Sequence, residues 1–190
     1  MDLSISPFQF LDYLSANYDP HADAHAVSVS AWAITLATKS GLSSDEIQYI
    51  EIASKYHDIG KIFIPESIRR FPGIYTPIEH DTMQRHAEMG AQMLKLLGCH
   101  PQVVSIVLAH HENYDGSGYP SMLRREQIPM GARIIRIVDS FDALIHSRGY
   151  RPACSPKMAL EDLHERSTYY DPDLLDRFDE LVRTTWMAVR

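Results

Sequence analysis

The chain has 190 residues, of which 45% are hydrophobic, ten histidines, and a formal net charge of −7 at pH 7 with histidine neutral. That length and apolar share are enough for one sizeable core, while the acidity repels a nucleic acid backbone and argues against a DNA or RNA polymer as partner. Cys99 and Cys154 lack the paired spacing of a disulfide framework or a thiolate zinc site, and a reducing compartment suits them.

The start, MDLSISPFQF, has no basic n-region, and the most apolar window, AVSVSAWAITLA, is too short and serine-rich to cross a bilayer. A soluble, cytoplasmic protein without membrane association is expected. Apolar residues recur at intervals of three and four and no convincing run alternates strictly, which predicts an all-α fold. An N-terminal helix within residues 1–18 precedes a single domain over 19–190.

Helices are expected at roughly 6–17, 21–40, 44–58, 78–97, 101–112, 130–147, 155–166 and 171–188. In the second, His25 continues toward Val29, Trp32 and Leu36, a stripe that should be apolar. Ser44, with Asp45 and Glu46, supplies a start signal for the third, and Gly41 stops the second. Along the third helix the stripe of Ile47, Ile50 and Ser54 arrives at His57, with Asp58 next and Lys61 a turn on. The stretch 59–77, rich in turn formers, predicts a long loop with one helical turn. His86 lies inside the fourth helix. In the fifth, Pro101 opens the first turn, His110 extends the stripe of Val103 and Ile106, and His111 that of Val104 and Val107. Each imidazole alone reads as a satisfied core residue.

The helix at 130–147 carries the sharpest conflict. Arg133, Arg136, Ser140 and Ser147 form a wet stripe and Ile134, Ile137, Phe141, Leu144 and Ile145 an apolar one, while a third runs Ala132, Ile135, Asp139, Asp142, His146. An ionised carboxylate on a buried stripe costs several kcal/mol unless paired or metal-bound. Two readings stand: a buried salt bridge to one of the arginines, or a metal. Neighbours on a helix point about 100° apart, so adjacent ligands such as His57 and Asp58 or His110 and His111 serve two nearby ions better than one, with Asp58 able to bridge. One shared centre would resolve all these conflicts together. Mixed imidazole and carboxylate donors suit iron, manganese or zinc, and two such ions, about +4 in charge, would make an acidic protein receptive to phosphate. Histidine ligands must shed protons, so activity is expected to fall below about pH 6. The last helix, with Leu174, Leu175, Phe178, Leu181, Val182 and Trp186, is expected to complete the core, pairing with another subunit being the alternative.

The segments HDIGKIFIPESI, PGIYT, HHENYDGSGYP, ARIIRIVDSFDAL and RGYRP, in this order from about Asp19 to Phe178, resemble the HD-GYP family of the HD-domain phosphohydrolases. The resemblance implies a compact helical bundle with a metal centre inside, which hydrolyses cyclic di-GMP to a linear dinucleotide or on to GMP through a metal-bridging hydroxide, in bacterial signalling. It implies two divalent ions, iron or manganese with zinc as the alternative, held by His25, His57, Asp58, His86, His110, His111 and Asp139, with Asp58 bridging. Lys61, Tyr119, Asp142, Arg148 and Arg151 match positions used around the substrate, with Asp58, Lys61 and Asp142 in catalysis; Asp142 would orient water or protonate the leaving 3′-oxygen. Glu112 is placed to fix a ligand imidazole, or else is a solvated acid. The glycines of DGSGYP permit positive φ and a tight turn, and Pro120 restrains the loop that offers Tyr119.

Two departures stand out. His21 occupies the place where members with a third metal tend to have glutamate, so no third ion is expected there, and Gly149 replaces a proline common before the tyrosine of RGYRP. No receiver or sensory segment accompanies the motifs, and regulation would come through a signalling partner or a homodimer. A catalytically silent cyclic-dinucleotide receptor, and an enzyme for another dinucleotide such as cyclic GMP-AMP, are the competing expectations.

Overall fold

The helical periodicity of the sequence becomes helices whose ends are set by caps and, near the site, by imidazoles. The structure, a computed structural model, describes residues 6–18, 20–71, 73–146 and 153–187. In chain order the helices are α1 (Pro7–Tyr18), α2 (Pro20–Lys39), α3 (Ser44–Tyr56), α4 (Glu66–Arg69), α5 (Pro77–Gln84), α6 (His86–Leu96), α7 (Pro101–Ala109), α8 (Met130–Ile145), α9 (Pro156–Glu165) and α10 (Pro172–Met187), with a 3-10 turn at Ile59–Phe63 after α3. Among the described residues there is no strand.

Ser43, not Ser44, caps α3: its Oγ accepts from the Glu46 N–H while the Glu46 carboxylate accepts from the Ser43 N–H, at 2.9 Å. Serine and glutamate three apart satisfy two otherwise orphaned amides. Thr76 and Glu79 repeat the device at α5. Gly41 and Gly98 both stand at φ +76°, the left-handed conformation that ends a helix at little cost to glycine.

Helix α2 lies along α3 and α8, α3 also packs on α7, and α6 packs on α7 and on the 3-10 turn. Val29, Ala33, Leu36, Ile50, Ala53, Val107, Ile134, Ile135 and Val138 fill the space between them. Trp32, Phe141 and Phe178 meet edge to face, with centroids 5.1–5.8 Å apart, and tie α2, α8 and α10 together. On α10, Leu174, Leu175, Phe178, Leu181 and Val182 are all buried, so this helix closes the core, as its stripe predicts. The N-terminal helix is docked too: Leu11 is fully buried and Asp12 accepts from the Tyr56 hydroxyl at 2.6 Å.

The expected helix over 78–97 divides at Arg85 into α5 and α6. The Met83 carbonyl, which a continuous helix would give to a main-chain amide one turn on, accepts instead from His86 Nδ1 at 2.7 Å and from the Arg85 N–H. The third and fifth helices likewise end early, at Tyr56 and Ala109, leaving His57 and His110 as their C-caps. No helix among the described residues is long and apolar enough to cross a membrane.

Candidate metal centre

Three imidazoles stand at helix ends for one reason. His57 Nδ1 donates to the Ser54 carbonyl (2.7 Å), His86 Nδ1 to Met83 (2.7 Å) and His110 Nδ1 to Val107 (2.6 Å), each a carbonyl three residues back. A carbonyl only accepts, so each Nδ1 carries a proton, and each Nε2, which in the neutral ring keeps a lone pair, points inward. His86 Nε2 and His110 Nε2 face each other at 3.3 Å. Two lone pairs at that distance repel unless a proton or a cation lies between them. Burial first, then the neighbouring His57 and His86, hold His110 down to about 3, and burial also depresses His86, so no proton is there at neutral pH.

Asp58 stands between the two halves of the cluster. Its Oδ1 is 3.3 Å from His86 Nε2 and 4.0 Å from His110 Nε2, and its Oδ2 is 3.4 Å from His57 Nε2 and accepts from Lys61 Nζ at 2.5 Å. Burial opposes its charge, but Lys61 and the facing imidazoles, His57 first, keep its carboxyl well below the usual range. On the far side His25 Nε2 lies 3.1 Å from Asp139 Oδ1, which is 3.9 Å from His57 Nε2. Ligand atoms of Asp58, His86, His110 and His111 lie within 4.8 Å of one another, and so do those of His25, His57 and Asp58. Two donor groups therefore share one carboxylate.

The donor set fits divalent ions. His25 Nε2, His57 Nε2 and Asp58 Oδ1 are buried without a hydrogen-bond partner, and an unmatched buried polar atom costs about 1–3 kcal/mol. Bonds of about 2.0–2.2 Å to nitrogen and oxygen place ligand atoms of one ion about 3–3.5 Å apart, close to the spacings seen. Of the two readings of the α8 carboxylates, a salt bridge to Arg133 or Arg136 is not found among the described residues: Arg133 pairs with Asp171 (2.5 Å) and Arg136 donates to Asn113 (2.9 Å) and Ser140.

The 3-10 turn brings Asp58 and Lys61 to α6 because Gly60 has no side chain. A Cβ there would stand 2.0 Å from the His86 carbonyl oxygen and 2.6 Å from the Gly90 nitrogen, both backbone atoms. Gly118 has the same use in the loop after α7: a Cβ would meet the Asn113 nitrogen at 2.2 Å. Of the two glycines in DGSGYP, only Gly116 takes a positive φ, +84°; Gly118 serves close approach.

The sequence matches the HD domain family over residues 10–174. The chain belongs to the HD domain family. It is 41% identical over 146 residues to the cyclic di-GMP phosphodiesterase response regulator RpfG of Xanthomonas campestris, 74% of this chain and 38% of that protein. It is 36% identical over 166 residues to the 3′3′-cGAMP-specific phosphodiesterase 2 of Vibrio cholerae, 84% of this chain and 32% of that protein. A solved structure of Bd1817, an HDG"Y"P protein from Bdellovibrio bacteriovorus, shares the fold with a TM-score of 0.72 at 21% identity, covering 93% of this chain and 61% of that one. The chain spans about a third of the length of the two curated relatives.

Within this HD domain the remaining expected residues fall as follows. His111 lies beside His86 and His110, with its ring stacked on Tyr119 at 4.8 Å, so Tyr119 forms the wall behind an imidazole. Asp142 does not face the space between the donor groups. It is 1% exposed, its Oδ2 accepts from His25 Nδ1 (2.6 Å), and its Oδ1 accepts from Ser28 Oγ and lies 3.1 Å from His146 Nδ1. Two side-chain donors, His25 and Ser28, thus hold the carboxylate, and His146, whose Nδ1 pairs with the Asp142 main-chain carbonyl at 3.2 Å, lies beside it. Glu112 is buried, not solvated, and its carboxylate accepts from the Ser121 and Leu123 amides at 2.7 and 3.1 Å, which anchors the GYP loop. Arg148, Gly149 and Arg151 lie outside the described residues, as does the side chain of His21.

Sequence reasoning missed Ser28 and the role of His146. The signal was a serine three residues after His25 on the same helix, where i and i+3 share a face.

Proposed function

We propose that the chain is a metal-dependent phosphodiesterase that hydrolyses cyclic di-GMP. The observation that carries this reading is Asp58, whose two oxygens face two separate groups of imidazoles. One divalent ion would be held by His25, His57, Asp58 and Asp139, the other by Asp58, His86, His110 and His111; iron or manganese suits these donors, and zinc is the alternative. Such ions, when bound, supply an activated water and a positive field for phosphate.

The chain's own residues do the rest. Lys61 steadies Asp58 by donating to its Oδ2 and brings a second positive charge to the rim, where its side chain is 28% exposed. Asp58, His25 and Asp139 are 14–19% exposed against at most 1% for His57, His86 and His110, so a phosphodiester approaches from the Asp58 and Asp139 side. The fixed imidazoles need no reorganisation as charge develops on phosphorus. Water loses a proton as it adds to phosphorus, the P–O3′ bond breaks, the leaving O3′ takes up a proton from solvent, and the linear dinucleotide departs, with the second diester open to the same attack on the way to GMP. Tyr119, Arg148 and Arg151 are assigned to the nucleotide, through the motifs they occupy.

The test is metal analysis of anaerobically purified protein with chromatography of cyclic di-GMP digests. Transition metal at about two equivalents and a linear product support the reading; metal-replete protein that binds the dinucleotide without cleaving it makes the chain a receptor. The relative from Vibrio cholerae named for 3′3′-cGAMP makes a mixed cyclic dinucleotide the second candidate substrate. Competition between the two dinucleotides decides it, since contacts to the bases set that preference.

A further inference from the structure

Four imidazoles of the centre, each with an Nδ1 partner, are not held alike. His57, His86 and His110 sit where a helix ends, and there a freed carbonyl three residues back takes the Nδ1 proton. His25 lies inside α2, where main-chain carbonyls are already engaged in the helix ladder. Its Nδ1 must find an acceptor on another element, and it finds Asp142 of α8 at 2.6 Å.

Asp142 in turn is held from two sides. Ser28, one turn along α2 from His25, donates to its Oδ1, and His146 Nδ1 at the C-terminal end of α8 lies 3.1 Å from the same oxygen. Ser28 and His25 thus grip opposite oxygens of one carboxylate, and the His25 ring is fixed with Nε2 toward Asp139 and the orphaned His57 Nε2. Were the ring turned over, or the tautomer reversed, an N–H or a C–H would face the cation position.

We propose that Asp142, held by Ser28, is a positioning residue that sets which nitrogen of His25 faces the metal position shared with His57 and Asp139, and so decides whether that position fills. This rests on the metal-centre reading above. The position held by Asp58, His86, His110 and His111 has no tie to Asp142, so the two positions depend on it unequally. Partners that orient a metal-binding histidine are worth about 10–100-fold in affinity.

The experiment titrates manganese(II) into metal-free protein and follows stoichiometry together with the electron paramagnetic resonance spectrum, in which two neighbouring ions give a coupled signal and one ion a simple six-line pattern. The wild type takes up two equivalents and shows the coupled signal. Ser28→Ala weakens one equivalent by about 10–100-fold and leaves the other at wild-type affinity; Asp142→Ala holds one equivalent and gives the six-line pattern; Ser28→Thr, which keeps the hydroxyl, restores the coupled signal. Two equivalents of unchanged affinity in both Ser28→Ala and Asp142→Ala would overturn the assignment, and so would equal weakening of both positions, which is the mark of a merely structural role. Ser28→Ala is mild enough to fold if Asp142→Ala does not. A wild type that binds no manganese at all would instead strike down the metal centre itself.

Discussion

At the scale of single residues, the histidines of the centre divide into one that holds a proton and several that have already shed theirs. Burial works against charge on His25, but the two carboxylates beside it, Asp139 and Asp142, outweigh it and raise its pKa to about 9. A raised value means that in metal-free protein its contribution to stability is complete below about pH 6.5, the unfolded value, and is lost as pH rises through about 9. Burial holds His86, His110 and His111 below the ordinary value, His110 at about 3, so their contribution is complete above about pH 6.5 and lost as pH falls. Chemical denaturation of metal-free protein should therefore show greatest stability near pH 6.5 and a decline on both sides. Loading with metal, which displaces the His25 proton, should abolish the alkaline decline; one flat curve from pH 5 to 9 in both forms would contradict these assignments. Gly60 gives a second test at this scale. Because an added Cβ would meet backbone on α6 at 2.0 Å, Gly60→Ala should cost at least about 1–3 kcal/mol, a fall in Tm of roughly 2–4 °C per kcal/mol, and should lower metal content as the turn carrying Asp58 moves away.

At the scale of elements, periodicity showed that helices exist and which faces they bury, but not that imidazoles end them. His57, His86 and His110 each draw a carbonyl out of the helix ladder, so the helices stop earlier than their apolar stripes suggest; this depends on a side-chain hydrogen bond that no spacing reveals. Glu112 was ambiguous for the same reason, since its partners are amides 9 and 11 residues away. Glu112→Ala leaves two loop amides without an acceptor, at about 1–3 kcal/mol for a buried group. The expected outcome is a several-fold rise in KM for the dinucleotide with metal content retained; metal lost in proportion to activity would mean that Glu112 supports the centre instead. Helix α1 docks on the core through Leu11 and Asp12. Leu11→Ala should cost about 2–5 kcal/mol in denaturant titrations while manganese uptake stays at the wild-type ratio, because none of the donors lies on α1. A variant of unaltered stability would show that α1 is not part of the folded body.

At the scale of the whole molecule, an acidic chain with a net charge of −7 is read as a binder of phosphodiesters, and divalent ions at the His/Asp cluster would reconcile the two. The all-α class and the closing of the core by α10 were legible from apolar periodicity, and the convergence of His25, His57, His110, His111 and Asp139, with Asp58 and His86 beside them, from polar groups on stripes that should be apolar. The duty of Asp142 was not legible, since position on a helix says that a carboxylate points inward but not which side of a neighbouring imidazole it meets. Every functional statement returns to whether two cations sit on either side of Asp58. The most direct measurement is anomalous diffraction from crystals of protein loaded with manganese. Two peaks about 3.5–4 Å apart, one reached by His25, His57 and Asp139 and the other by His86, His110 and His111, with Asp58 touching both, are the predicted result; a single peak, or density with the imidazoles turned away from any ion, would contradict it.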